Sequence, residues 1–155
     1  MRVTTKGRYA LRAVVNLAVN YKDKPISIRT IAEEEKLSPE FLEQIFFRLK
    51  KSGIISSVRG PGGGFKMDRD KSEISIKDVF DAVGEGLDLT PCVACQEKNM
   101  STCENSDDCL TYDIWANATD QITSYFANIS IEDILVKQKD KIIKALSTGD
   151  DFEIK

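Results

Sequence analysis

The sequence predicts a mainly α-helical protein with one small β-hairpin, and three patterns lead to this prediction. Two amphipathic helices are joined by a short turn, the first beginning after Ser27 and the second after Ser38. A β-prone run over 54–59 is followed by a Gly/Pro-rich loop and a return strand at 65–67. A long apolar helix then begins near Leu110. The first two patterns together are typical of a winged helix-turn-helix unit.

Apolar side chains recur at helical spacing, and capping residues set the helix boundaries. The predicted inward-facing residues of the first four helices are Ala10, Val14, Leu17 and Tyr21; Ile28, Ile31 and Ala32; Leu42, Ile45, Phe46 and Leu49; and Ile76, Val79, Phe80 and Val83. Ser38 is an N-cap followed by Pro39 at the first helical position, which is a strong helix start. Ser75 caps the fourth helix, and Gly84 ends it.

The helix that begins near Leu110 has a broad apolar stripe. Its members are Ile114, Trp115, Ala118, Ile122, Tyr125, Phe126 and Ile129. Too little chain remains to cover this stripe, so we expect a homodimer with Trp115, Ile122 and Phe126 as anchors. A further helix starts at Ser130, and a polar tail begins at Ser147. The predicted organisation is a winged-helix domain at 1–86, a cysteine-rich loop at 87–110, dimerisation helices at 111–146 and a flexible tail at 147–155.

Composition excludes several classes of function. The chain has 155 residues, of which 41% are hydrophobic, but no stretch approaches the roughly 20 apolar residues of a membrane span. It contains no His, which excludes His-dependent catalysis and His-containing metal sites, and we expect no enzyme. The N-terminal apolar run is interrupted by Asn16 and Asn20 and lacks a cleavage site, so we expect a cytoplasmic protein.

Charge is divided unevenly along the chain. The formal net charge is -3, yet residues 1–70 hold 14 Lys and Arg against 8 Asp and Glu, whereas residues 71–155 hold 8 against 17. The basic half therefore suggests an anionic partner, although a chance division of surface charge would look the same.

The third helix and the hairpin carry side chains suited to DNA. On the helix, Gln44 can pair with adenine and Glu43 can accept from the cytosine amino group, whereas Arg48 and Lys51 are suited to phosphates. Arg59 precedes the loop 60–64, which has almost no side-chain bulk. The loop backbone could therefore approach the duplex closely, and the arginine could enter a narrow minor groove. Lys66 and the N-terminal basic residues would add phosphate contacts. The alternative interpretations are that this helix face is merely solvated and that the glycine-rich loop is a plain turn. The candidate DNA-binding residues are Arg2, Lys6, Arg8, Ser38, Glu40, Phe41, Glu43, Gln44, Arg48, Arg59, Gly60, Pro61, Gly62 and Gly63.

Four stretches of the sequence closely resemble one family. They are Met1–Leu11 (MRVTTKGRYAL), Phe41–Gln44 (FLEQ), Ser56–Phe65 (SSVRGPGGGF) and Cys109–Thr111 (CLT) followed by Trp115. This sequence resembles the IscR-type bacterial transcription regulators, relatives of NsrR and CymR, over roughly residues 1–136. The resemblance implies a dimeric winged-helix repressor or activator on a palindromic operator, with Glu43, Gln44 and Arg59 reading DNA. It also implies an iron-sulfur cluster as the sensor.

All four cysteines, Cys92, Cys95, Cys103 and Cys109, lie in one short acidic segment with the spacing C-x2-C-x7-C-x5-C. Four thiolates can hold zinc or an iron-sulfur cluster, and the spacing alone does not decide between them. The alternative functions are therefore a winged-helix repressor with structural zinc or protein-partner sensing, and a small redox protein. The resemblance favours a cluster, 2Fe-2S rather than 4Fe-4S, with iron-sulfur assembly proteins as possible partners.

The fourth cluster ligand of the family is missing here. IscR-type relatives use three Cys and a His three residues after the last Cys, where this chain has Tyr112; NsrR-type relatives use an acid where it has Arg8. We therefore expect all-Cys ligation, with Asp113 or a solvent-exposed iron site as alternatives. Cys103 and Cys109 match the last two family cysteines, and either Cys92 or Cys95 matches the first.

Overall fold

The computed structural model describes residues 3–20, 24–94 and 109–148. Its elements in chain order are α1 (Thr5–Asn20), α2 (Ile28–Glu35), α3 (Pro39–Lys51), β1 (Ile55–Val58), β2 (Gly64–Met67), a 3-10 turn (Lys71–Glu73), α4 (Ile76–Val83), α5 (Pro91–Ala94), α6 (Tyr112–Ala127) and α7 (Ile131–Thr148). β1 and β2 form an antiparallel hairpin that directly follows α2 and α3. The predicted winged helix-turn-helix fold is confirmed.

The predicted helix caps form hydrogen bonds in the structure. The Ser27 hydroxyl accepts from the Thr30 amide at 3.1 Å, and the Ser38 hydroxyl accepts from the Phe41 amide at 3.2 Å. Ser75 and Asp78 form a reciprocal capping box at the start of α4. These local interactions fix where α2, α3 and α4 begin, and therefore how the turn between α2 and α3 directs the second helix.

The core lies where α1 to α4 meet the hairpin and the start of α7. Phe46 of α3 is completely buried and stacks on Phe65 of β2, with ring centroids 4.8 Å apart. The hairpin is also joined to the loop before α2, because Ile26 and Phe65 exchange backbone hydrogen bonds of 2.9 and 2.8 Å. The wing is thus fixed to the helices by a stacked ring and by backbone pairing.

Several boundaries differ from the prediction. α6 begins at Tyr112, and Leu110 lies in a turn with 98% of its surface exposed, because apolar spacing alone does not fix where a helix starts. Four residues of the segment predicted to be irregular form the short helix α5. α7 continues to Thr148, past the predicted start of the polar tail, since the first helix-breaking residue is Gly149. Tyr21 lies outside the described residues.

No helix in the described ranges is both long and apolar enough to cross a membrane.

Candidate DNA-binding surface and cysteine segment

The side of α3 opposite its buried stripe is polar and exposed. Glu40, Glu43, Gln44 and Lys51 all lie on it, because Leu42, Ile45, Phe46 and Leu49 occupy the other side. Together with α4, this side forms a cleft of about 1000 Å³ that is also lined by Asp81 and Ala82. The structure thus brings the predicted base-reading residues onto one accessible surface.

Several members of the predicted DNA-binding set have contacts within the chain. Arg48 donates from Nη1 to the Val83 carbonyl at 3.5 Å, at the C-terminal end of α4, where a cation is favourable. Phe41 is half-buried and meets the ring of Tyr9 edge-on at 6.0 Å. Part of the Phe41 ring is therefore covered within the chain, and its contact with DNA stays a prediction. Ser38 is exposed, but its hydroxyl serves as the cap of α3.

Glycine is required in the wing for two different structural reasons. Gly60 and Gly62 have φ angles of 108° and 77°, which favour glycine in this tight turn. At Gly63 and Gly64, an added Cβ would lie 2.4 Å from the Val58 carbonyl oxygen and 2.3 Å from the Ile26 carbonyl oxygen. The fold of the wing itself therefore requires small residues at these positions, whether or not the loop approaches DNA. Arg59, just before the turn, is exposed.

The N-terminus of α1 carries basic residues and one contact that the sequence did not predict. Arg8 is exposed and Lys6 is half-exposed, whereas Arg2 lies outside the described residues. Buried Glu85 accepts hydrogen bonds from the amide and the hydroxyl of Thr4. An added Cβ at Gly7 would lie 2.7 Å from this carboxylate. The residues that follow α4 are thereby held against the start of α1.

Two of the four cysteines lie among the described residues, and both are half-buried. The Cys92 sulfur lies 3.1 Å from the Thr90 hydroxyl, and the Cys109 sulfur lies 3.4 Å from the Thr111 hydroxyl. The side-chain hydrogen bond from Thr111 lowers the pKa of the Cys109 thiol and so favours the thiolate, the form that binds metals. Cys95 and Cys103 lie outside the described residues, and within the described ranges no three candidate ligands converge.

The cysteine segment (residues 92–109) is connected to α6 at both ends. Before it, the Leu89 amide donates to the buried Thr119 hydroxyl of α6 at 3.2 Å, and α5 packs against the same helix. At the other end of the segment, Cys109 lies one helical turn before the start of α6. Of the alternative ligands, Tyr112 is half-buried and Asp113 is exposed. By its chemistry, a donor set of four thiols fits a soft metal or an iron-sulfur cluster.

The apolar residues of α6 divide into an inner and an outer group. Phe126 is half-buried and meets the Phe80 ring of α4 edge-on at 5.4 Å, so part of this predicted dimer anchor is covered within the chain. Ile122 is half-buried. Ile114, Trp115 and Tyr125 are 61%, 42% and 63% exposed. An apolar surface on α6 therefore remains exposed in a single chain.

A winged helix with a polar recognition helix and an arginine at the wing defines a DNA-binding protein. The Rrf2 family, described as "Iron-dependent Transcriptional regulator", matches residues 3–137, and the chain belongs to this family. It is 40% identical over 139 residues to the HTH-type transcriptional regulator IscR of Photorhabdus laumondii, which covers 90% of this chain and 82% of that protein. Its function is thus transcriptional regulation through DNA binding and not enzymatic catalysis.

Solved structures agree with this assignment. The T. potens IscR structure superposes with a TM-score of 0.73 at 28% identity, covering 91% of this chain and 90% of that one. A Staphylococcus aureus CymR structure gives a TM-score of 0.66 at 28% identity, covering 84% and 95%. CymR of B. subtilis has the same fold, with a TM-score of 0.70 at 23% identity over 86% and 95%.

Proposed function

We propose that the chain acts as a homodimeric regulator whose operator binding responds to an iron-sulfur cluster in the cysteine segment. The observation that carries this proposal is the attachment of that segment to α6, which packs on α4, which in turn packs on the recognition helix α3. A change in the cysteine segment therefore has a continuous set of contacts through which to move the DNA-reading surface.

The α3 face and the wing would divide the work of DNA recognition. Gln44 and Glu43 are exposed side by side and have the hydrogen-bonding groups to read adenine and cytosine in the major groove. Arg59 stands at the tip of the wing, where a guanidinium suits a narrow minor groove. Lys51 and Arg8 are exposed cations suited to phosphates. A dimer would present two such surfaces to a palindromic operator.

Arg59→Ala is expected to weaken operator binding by about 1–3 kcal/mol, because a groove contact and a positive charge are both lost. The measurement is a gel-shift titration at one fixed salt concentration. Arg69→Ala, which removes another exposed arginine beyond the hairpin, is the matched control and should bind nearly as the wild type does. Equal affinity of Arg59→Ala and wild type would refute the role of the wing.

Glu43→Ala is expected to relax base preference while leaving nonspecific DNA binding equal or stronger. The carboxylate repels phosphates and is tolerated only where a base presents a donor, so its removal takes away discrimination more than attraction. Binding-site selection with both proteins measures this effect. Identical selected sites would mean that Glu43 is only a solvated residue of α3.

The cluster would be held by Cys92, Cys95, Cys103 and Cys109, with 2Fe-2S favoured over 4Fe-4S. When bound, it would supply a centre that is reversibly oxidised or lost in response to stress or to cluster supply. All-thiolate ligation gives the site more negative charge than a His ligand would, which lowers the reduction potential relative to a His-ligated relative. The family description as iron-dependent supports a centre that contains iron.

Single Cys→Ala variants, reconstituted anaerobically, test the ligand set. Each is expected to lose the visible absorption of the cluster, and Asp113→Ala is the control that should keep it, since its oxygen is the alternative donor. A Cys variant that keeps the wild-type spectrum is not a ligand. Colourless wild-type protein that contains zinc would favour the structural-zinc alternative.

A separate measurement tests whether the cluster controls DNA binding. The operator affinities of the cluster-loaded and cluster-free wild-type protein, measured in parallel, must differ if it does.

A further inference from the structure

An exposed aromatic ring stands at the centre of the polar α3 face. Phe47 is 71% exposed, although its neighbour Phe46 is completely buried. Helical spacing places Phe47 beside Gln44 and Lys51, three residues before it and four after it. The ring therefore projects from the same surface as the proposed base-reading residues.

The neighbours of Phe47 on the α3 face indicate which kind of partner covers it. The last turn of α3 carries Arg48, Lys50 and Lys51, all exposed. Glu43 lies one turn before Phe47 and Lys51 one turn after it, so charges of both signs flank the ring, and what connects it to DNA is its place beside the proposed base-reading residues. Duplex DNA offers such a ring a small apolar surface, the C5-methyl group of thymine in the major groove.

We infer that Phe47 contacts the C5-methyl group of a thymine in each half-site and so determines specificity beside Gln44. The inference rests on the proposed role of α3 as the recognition helix. A phenyl ring packs against the methyl group but cannot satisfy the amino group that cytosine presents in the major groove, so it discriminates thymine from cytosine. Gln44 precedes Phe47 by one turn on the same face, so a helix that places Gln44 against a base edge brings the ring of Phe47 to the neighbouring base pairs.

Replacement of thymine by deoxyuridine tests this contact, because it removes only the methyl group. The probe is a duplex that the wild-type protein selects from a random-sequence library, with each thymine of a half-site replaced in turn. One replacement is expected to weaken wild-type binding about fourfold, the effect of one methyl-sized group. Phe47→Ala should bind the two forms of the duplex equally, and Phe47→Leu should retain part of the difference.

Val19→Ala, which shortens another exposed apolar side chain (48% exposed, on α1), is the matched control and should keep the full methyl effect. The inference is overturned if no replacement weakens the wild type, or if Phe47→Ala keeps the same methyl dependence. A change in the sedimentation of Phe47→Ala with unaltered methyl dependence would instead assign the ring to a protein contact. If the wild type selects no sequence at all, the recognition-helix assignment fails, and this inference fails with it.

Discussion

Phe46→Ala is expected to lower the free energy of unfolding by about 3–5 kcal/mol. Phe46 has no exposed surface, and its ring stacks on Phe65 with an interplanar angle of 16°, so truncation leaves a cavity between α3 and the hairpin. Chemical denaturation followed by circular dichroism measures the change. Operator affinity, corrected for the folded fraction, should also fall, since the wing loses the ring on which it rests.

Phe47→Ala is the matched control for this prediction, because it removes the same side chain one position further along α3. Phe47 is 71% exposed, and surface substitutions usually change stability by no more than about 0.5 kcal/mol. Similar destabilisation of both variants would contradict the assignment of the buried and exposed sides of α3.

Ile114→Glu is expected to convert a dimer into a monomer and to lower affinity for a palindromic operator about 10²-fold to 10⁴-fold, because two half-sites are then bound independently. Ile114 is 61% exposed on α6 beside the exposed Trp115, and a buried, unpaired carboxylate in an interface is strongly unfavourable. Analytical ultracentrifugation and operator titration measure the two effects.

Asn117→Glu places the same charge on the same helix, at an exposed position that is not part of the apolar group, and serves as the control. It should remain dimeric. Wild-type protein that sediments only as a monomer at micromolar concentration would contradict the proposed interface, as would an Ile114→Glu variant that stays dimeric.

The sequence predicted the elements well where the signal was local. Ser38 and Ser75 fixed helix starts because a cap and its partner lie within one turn. Spacing could not divide the apolar residues of α6 between the chain and its partner. Both Phe126 and Ile114 belong to one broad stripe, but only the position of Phe80 shows that Phe126 faces inward.

Contacts between distant parts of the chain were likewise beyond the sequence. Glu85 and Thr4 are separated by 81 residues, and no pattern connects them. Phe47 was missed for a different reason. Helical spacing correctly placed Phe46 in the core, but a single apolar ring on the outer side of a helix is common and does not by itself predict a ligand. The cysteines were found by their clustering, but the support of their segment by Thr119 required the structure.

The backbone pairing between Ile26 and Phe65 has a consequence for the thermodynamics of DNA binding. A two-stranded hairpin alone is only marginally stable in water, and a free one would lose its conformational entropy on meeting the duplex. Here that entropy is lost during folding, because the loop before α2 already holds β2 in place. The wing is therefore preorganised, and the binding free energy of Arg59 is not reduced by the cost of ordering the strands that carry it.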